Sequence, residues 1–166
     1  MLAVAEFAGG SVLVVILLVL VILVIVAGLV IWVRRARSCA RIIDAPEGRL
    51  ETLFHGGIMC KHLLTSGTMV RLEMFDWGVR IRGIAPTRWV VPTWEARYDE
   101  LAIAELVASP YSRIAVWFRL RGEAGGMGFL SNFNEPIVKV LQAHDVPVNR
   151  AITRFKRVDD LYRAAS

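Results

Sequence analysis

The stretch MVRLEMFDWGVRIRG, residues 69–83, decides the fold of the larger part of this chain. Apolar and charged residues alternate in its first half, and they alternate again after a short interruption. Such alternation is typical of a β-strand with one buried face. Asp76, Trp77 and Gly78 form the interruption, where we expect the glycine to supply a positive φ for a turn. The stretch therefore predicts a β-hairpin. The apolar residues expected on the buried face of its first strand are Val70, Leu72 and Met74.

Further apolar or alternating runs follow the hairpin. They predict strands over residues 88–91, 94–98, 101–107, 113–121 and 127–130. In the fourth of these runs every second residue is apolar, so one face of the strand is expected to be buried and the other exposed. The residues expected to point outward are Trp117, Arg119 and Arg121.

The apolar spacing becomes helical near residue 134. Asn134 is suited to cap a helix, and Val146 with Pro147 is suited to end it. One face of this helix is expected to carry Ile137, Val140, Leu141 and His144. The basic stretch 150–163 predicts a second short helix.

Many strands followed by one late helix predict a small α+β domain with an antiparallel sheet. The order and spacing of residues 69–83, of WEARYDELAIAELV at 94–107, and of RIAVWFRLRG and NEPIVKVLQAH further on resemble those of a bacterial pleckstrin-homology-like (PH-like) domain. The resemblance covers residues 50–146. It implies a bent antiparallel β-sheet or barrel closed by a C-terminal helix, with protein or lipid as the bound partner. Another small β-sandwich or barrel with an added helix is the alternative.

An apolar segment precedes this domain and raises the mean hydropathy of the chain to +0.51. Residues 12–33 form a run of 22 residues without a charge. At about 1.5 Å per residue this run makes roughly 33 Å of helix, enough to cross a hydrocarbon core of about 30 Å. A cleaved signal peptide is disfavoured because no Lys or Arg precedes residue 34 and because the run is longer than the usual apolar region of such peptides. The segment therefore predicts one permanent transmembrane helix.

The charges flanking this helix predict its orientation. Glu6 is the only charged residue before it, whereas all 20 basic residues follow it. The positive-inside rule then places the C-terminal domain in the cytoplasm and the N-terminus outside the cell (plasma or inner) membrane. The side chains expected to anchor the helix at the interface are Trp32, Arg34, Arg35 and Arg37.

These observations divide the chain into five segments. We expect a short extracytoplasmic N-terminus, a transmembrane helix, a basic juxtamembrane linker, a β-rich PH-like domain with its C-terminal helix, and a basic tail. Their boundaries are residues 1–11, 12–33, 34–49, 50–146 and 147–166.

The sequence carries no recognisable catalytic or cofactor motif. Neither a phosphate-binding glycine loop nor a serine-nucleophile signature is present, so we expect no cofactor and no enzymatic activity. His55, Cys60 and His62 have a spacing that suits Zn²⁺ ligands, and a membrane-anchored metal-binding protein or enzyme is the alternative function. In a reducing cytoplasm Cys39 and Cys60 are expected to stay unpaired.

The outward residues of the two best strands suggest a basic face. If those strands lie side by side, the face joins Arg80, Arg82, Trp117, Arg119 and Arg121. Such a face suits a protein partner or anionic lipid headgroups; it lacks the interleaved aromatic residues that nucleic-acid binding needs. The alternative is a solvated sheet face on which Glu73 pairs across to an arginine.

Together these features predict a non-enzymatic, membrane-anchored binding module. It is expected to act as an accessory subunit or scaffold that tethers or stabilises a partner at the cytoplasmic membrane face. The expected partners are the lipid bilayer and another membrane-associated protein or complex.

Overall fold

The computed structural model describes residues 3–61, 63–65, 67–85, 87–109, 113–123 and 125–155. The chain forms two compact units, residues 1–34 and 35–166. The first unit is one helix, α1 (Ala3–Arg37), which runs a few residues into the second. Within the described part of the chain, the stretch Val14–Arg34 is long and apolar enough to cross a membrane, and it is not buried inside the structure.

The second unit is a bent sheet with one helix. Its elements are β1 (Leu50–Cys60), β2 (Leu63–Leu64), β3 (Val70–Phe75), β4 (Gly78–Gly83), β5 (Trp94–Arg97), β6 (Leu101–Ala108), β7 (Ile114–Leu120), β8 (Gly126–Leu130), α2 (Asn134–Ala143) and β9 (Val148–Arg154). The strand order is β5-β4-β3-β1-β8-β7-β6-β9, and β2 pairs with β1. Neighbouring strands are antiparallel except β6 and β9, which are parallel.

The sheet bends within β1. The first half of β1 pairs with β3, and the second half, from Gly57 onward, pairs with β8. Gly56 lies at this change of partner, where a Cβ atom would overlap the Leu130 carbonyl. A glycine is therefore required for the backbones to approach closely enough to bend the sheet.

The inner face of the bent sheet and one side of α2 form the main core. Ile137 and Leu141 of the helix are fully buried in it, as the helical spacing predicts. Asn134 is the first residue of α2 rather than its cap, because the capping position is Phe133. His144 directly follows the helix and stacks on Tyr98, with ring centroids 4.0 Å apart.

A second, smaller core lies on the other face of β7. Trp117 is fully buried there. Its neighbours in this cluster are Met59, Val107, Ala115 and Leu130. The expectation that Trp117 presents its indole to solvent is therefore wrong: the alternation assigns it to the correct face of the strand, but that face is covered by a second apolar cluster.

The predicted hairpin is confirmed, with Leu72 opposite Ile81 and Glu73 opposite Arg80. The role expected of Gly78 is wrong, since this glycine has no positive φ. It lies within β4, where a Cβ atom would overlap the Ala96 carbonyl of β5. Gly78 is needed for close strand packing and not for the turn.

Two other local predictions are wrong. Residues 88–91 are not a strand, because a 3₁₀ turn occupies Thr87–Trp89. The start of the stretch 150–163 is not helical, because β9 extends through Arg154 as an edge strand beside β6; the remainder of that stretch, from residue 156, lies outside the described residues.

The juxtamembrane segment is folded against the domain rather than being a free linker. Ala36 is fully buried in the main core, and Arg41 forms a parallel bridge with Trp94 of β5. The structure pairs Cys39 and Cys60 in a disulfide, whereas a reducing cytoplasm is expected to keep them as thiols. The sequence did not signal that they lie close together, because this depends on the juxtamembrane segment packing back on the domain, which brings Cys39 to the end of β1.

Candidate functional site

The outer face of β3, β4 and β5 carries a group of ion pairs centred on a buried carboxylate. Glu73 is only 2% exposed. Arg71 Nε lies 2.8 Å and Arg82 Nη2 lies 2.6 Å from Glu73 Oε1. Arg80 Nη1 lies 3.9 Å from the other carboxylate oxygen. Glu73 therefore does pair across to an arginine, as the alternative interpretation has it, but its carboxylate is buried and not solvated.

A second buried carboxylate extends the group onto β5. Arg80 Nε donates to Glu95 Oε1 at 2.5 Å, and Glu95 is 4% exposed. The backbone N–H of Ile43 donates to Glu95 Oε2 at 3.1 Å. We call the five residues of this group the arginine cluster: Arg71, Glu73, Arg80, Arg82 and Glu95. Its net charge is +1, so most of its positive charge is neutralised inside the molecule.

Two aromatic rings adjoin the arginine cluster. Phe75 and Trp77 are stacked with their centroids 5.3 Å apart. The Arg80 guanidinium carbon lies 5.0 Å from the Phe75 centroid and 5.8 Å from that of Trp77. A cavity of about 430 Å³ opens here between the rings, Arg80 and residues 45–48. We call Phe75, Trp77 and Arg80 the cation–aromatic platform; it combines a planar cation with apolar surface.

The structure does not assemble the five-residue basic face predicted from the sequence. It brings Arg80 and Arg82 together on β4, but β3, β1 and β8 lie between β4 and β7 in the sheet. On β7, Arg119 Nη2 lies 2.8 Å from Glu105 Oε2. Just beyond β7, Arg121 is exposed and its Nε donates to the Leu101 carbonyl at 3.3 Å.

Of the three proposed metal ligands, the structure describes His55 and Cys60, which are five residues apart on β1. The Cys60 sulfur is bonded to Cys39, and Cys60 is 1% exposed. His55 is exposed on β1, and His62 lies outside the described residues. Across the residues that the structure describes, no group of three possible ligands is close enough to hold a metal ion. Cys60 cannot ligate a metal while it is oxidised, because only the thiolate binds.

The predicted interface anchors lie in the last turns of helix α1, at the C-terminal end of its apolar stretch. Trp32 is 41% exposed, and Arg34 and Arg37 are also exposed; the Arg35 side chain is outside the described part of the structure. The guanidinium of Arg37 donates from Nη2 to the Trp89 carbonyl at 3.2 Å.

Sequence reasoning missed the residue that fixes the juxtamembrane segment, Arg41. Its Nη2 donates to Glu100 Oε1 at 2.9 Å, and its Nη1 donates to the Glu95 carbonyl at 2.7 Å. The hydrogen bond from Arg41 holds the pKa of Glu100 below its usual value and raises the pKa of Arg41. The partners are more than 50 residues apart in the chain, so no local pattern in the sequence signals this pairing.

No family model and no curated protein matches this sequence. Among solved structures the chain is similar to the "Vps36 N-terminal PH domain", with a TM-score of 0.44 and 7% identity. The match covers 64% of this chain and 83% of that chain. The bent sheet with its C-terminal helix is consistent with a PH-like fold, and the finer resemblance to bacterial PH-like domains stays a prediction.

Proposed function

We propose that this chain is a single-span membrane protein that holds a non-enzymatic binding module at the cytoplasmic face of the cell membrane. The observation that carries the proposal is the apolar stretch of α1, whose side chains are exposed although the adjoining domain has a complete core of its own. Burying one large apolar side chain is worth about 1.5–3 kcal/mol. A lipid environment covers at once the seventeen exposed large apolar side chains between Val14 and Trp32. The helix suits that environment because it pairs its own backbone hydrogen-bonding groups.

The charge distribution supports the proposed orientation. Residues 1–33 contain no Lys or Arg, and Arg34, Arg35, Arg37 and Arg41 come directly after this apolar run. The Cys39–Cys60 disulfide supports the opposite orientation, because disulfides persist in oxidising compartments. We give the charges more weight, since they act on insertion directly, and we infer that the two sulfurs are thiols in the cell.

The surface that we assign to the protein partner is the cation–aromatic platform. Its support is chemical: planar arginine and aromatic side chains are enriched at the centres of protein interfaces. The neighbouring arginine cluster contributes little net attraction because its charges are paired internally. A flat apolar or aromatic side chain on the partner would suit this platform, because the charge of Arg80 is already paired with Glu95 and its planar guanidinium lies over Phe75 and Trp77.

The test compares Arg80→Lys with Arg150→Lys in the full-length protein, purified from membranes in a mild detergent. Lysine keeps the charge that Glu73 and Glu95 require, but it cannot stack flat on Phe75 and Trp77. Arg150 is an exposed arginine of β9 paired with Glu135, which makes its variant a matched control. We expect a stoichiometric partner to co-purify with the wild type and the control and to be lost with Arg80→Lys. Equal recovery with both variants would contradict the assignment of this surface.

A further inference from the structure

Two of the large apolar side chains exposed on the domain lie at one end of the β3–β4 hairpin. Met69 is 53% exposed and Trp89 is 58% exposed. Single exposed apolar residues are common on soluble proteins, but a grouping at one edge indicates a contact surface.

Hydrogen bonds fix Met69 and Trp89 at the same end. The Thr87 hydroxyl, in the 3₁₀ turn that contains Trp89, donates to the Met69 carbonyl at 2.9 Å. The N–H of Ile84 donates to the same carbonyl at 3.1 Å. Met69 directly precedes β3 and the turn follows β4, so both lie where Val70 pairs with Gly83.

The covalent chain keeps this edge close to the apolar helix. Arg37 donates to the Trp89 carbonyl, and Arg37 comes only three positions after Arg34, the last residue of the apolar stretch. Three residues span at most about 11 Å. Whatever direction the helix takes from the domain, the turn around Trp89 is tethered near the point where the chain leaves the bilayer.

We propose that this edge is a second membrane contact, which rests on the proposed membrane span. We call it the membrane-proximal rim, formed by Met69, Arg88 and Trp89. The indole of Trp89 lies at the level of the lipid headgroups, as tryptophans at membrane interfaces do. Arg88, which is exposed beside it, and Arg37 face the anionic headgroups. Apolar side chains with neighbouring arginines match the chemistry of a lipid surface. Because the short link to the apolar helix holds the rim beside the bilayer, the effective concentration of lipid at the rim is high.

The test uses the full chain in nanodiscs made of phosphatidylcholine and phosphatidylglycerol. A photoreactive phenylalanine analogue replaces Trp89 in one variant, Trp32 in a second and Leu50 in a third. Leu50 is a matched control because it is 47% exposed and pairs with Phe75. Phe75 is the last residue of β3, about 17 Å along the strand from Val70 at the rim. After illumination, the mass of the intact protein reports the fraction that carries a lipid adduct.

We expect lipid adducts at positions 32 and 89, and several-fold less at position 50. Adducts at 32 with no excess at 89 over 50 would overturn the rim while leaving the span in place. An absence of lipid adducts at 32 would overturn the proposed span, and the rim with it. A cross-link from position 89 to a second protein in place of lipid would show that the rim binds a protein.

Discussion

Arg82 donates two hydrogen bonds to one oxygen of Glu73, at 2.9 Å from Nε and 2.6 Å from Nη2. The acceptor is almost completely buried on a face that the alternation assigns to solvent. The arginine side chains around Glu73 cover it, so this carboxylate holds β3 and β4 together from outside the main core.

Replacing this carboxylate tests its structural role. Glu73→Gln keeps the shape but removes the charge that balances Arg71 and Arg82. Breaking a buried ion pair from one side costs several kcal/mol, so we expect the free energy of unfolding to fall by about 2–4 kcal/mol in a urea titration. Glu135→Gln is the control, because Glu135 and Arg150 are both more than half exposed, and a loss below about 1 kcal/mol is expected there. Equal losses in the two variants would contradict the account.

The hairpin was predictable because its signal is local. Alternation over 69–83 fixes both strands, and the connection of only two residues between them, Asp76 and Trp77, leaves little choice of register. β1 was missed because its two halves pair with different strands, so Leu50–Cys60 shows no single alternation. β9 was missed because it pairs in parallel with the distant β6 and is mostly exposed.

The candidate site was predictable only in part. Arg80 and Arg82 were assigned to the correct face, since residue parity along a strand determines the face. Their position relative to Arg119 depends on the order of the strands in the sheet, and the alternation of side chains along one strand carries no information on that order. The participation of Glu95 in the arginine cluster depends on the pairing of β4 with β5, which is equally non-local.

Gly78→Val is expected to destabilise the domain by about 1–3 kcal/mol. The reason is steric, because a side chain at this buried position would overlap the Ala96 carbonyl and force β4 and β5 apart. Thermal unfolding of the purified chain measures the effect. Gly122→Asn is the control: Gly122 has a φ of +72° with open space around it, and asparagine tolerates that conformation. An unchanged midpoint for Gly78→Val would show that the strands can separate freely.

The Arg41–Glu100 pair gives part of the stability a defined pH dependence. The hydrogen bond from Arg41 lowers the pKa of Glu100 in the folded state. The contribution of the pair to the free energy of unfolding is therefore fully present above the unfolded-state pKa of Glu100, about 4.5. It is lost as the pH falls through the lower folded-state pKa. We expect Glu100→Gln to be less stable than the wild type at neutral pH and to lose less stability on acidification, as measured by thermal unfolding. Parallel pH profiles for the two proteins would contradict this pairing.

The redox state of Cys39 and Cys60 in the cell depends on the side of the membrane. On the cytoplasmic side, trapping with acid and a mass-tagged maleimide is expected to add two tags without prior reduction. The purified protein exposed to air is expected to form the disulfide and accept none, since the folded chain holds the two residues with their Cα atoms 6.5 Å apart. Protein that accepts no tags directly from cells would contradict a cytoplasmic location.

The orientation of the membrane span is the claim on which the proposed function depends most. It is tested by fusing either a fluorescent protein or alkaline phosphatase after Ser166 in a bacterial host, because each reporter is active on only one side of the inner membrane. We predict a fluorescent fusion and an inactive phosphatase. Replacing Arg34, Arg35 and Arg37 by glutamate should weaken or reverse this pattern, since these charges set the orientation. An active phosphatase and a dark fluorescent protein in the unmodified chain would contradict the account and place the β-rich domain outside the cytoplasm.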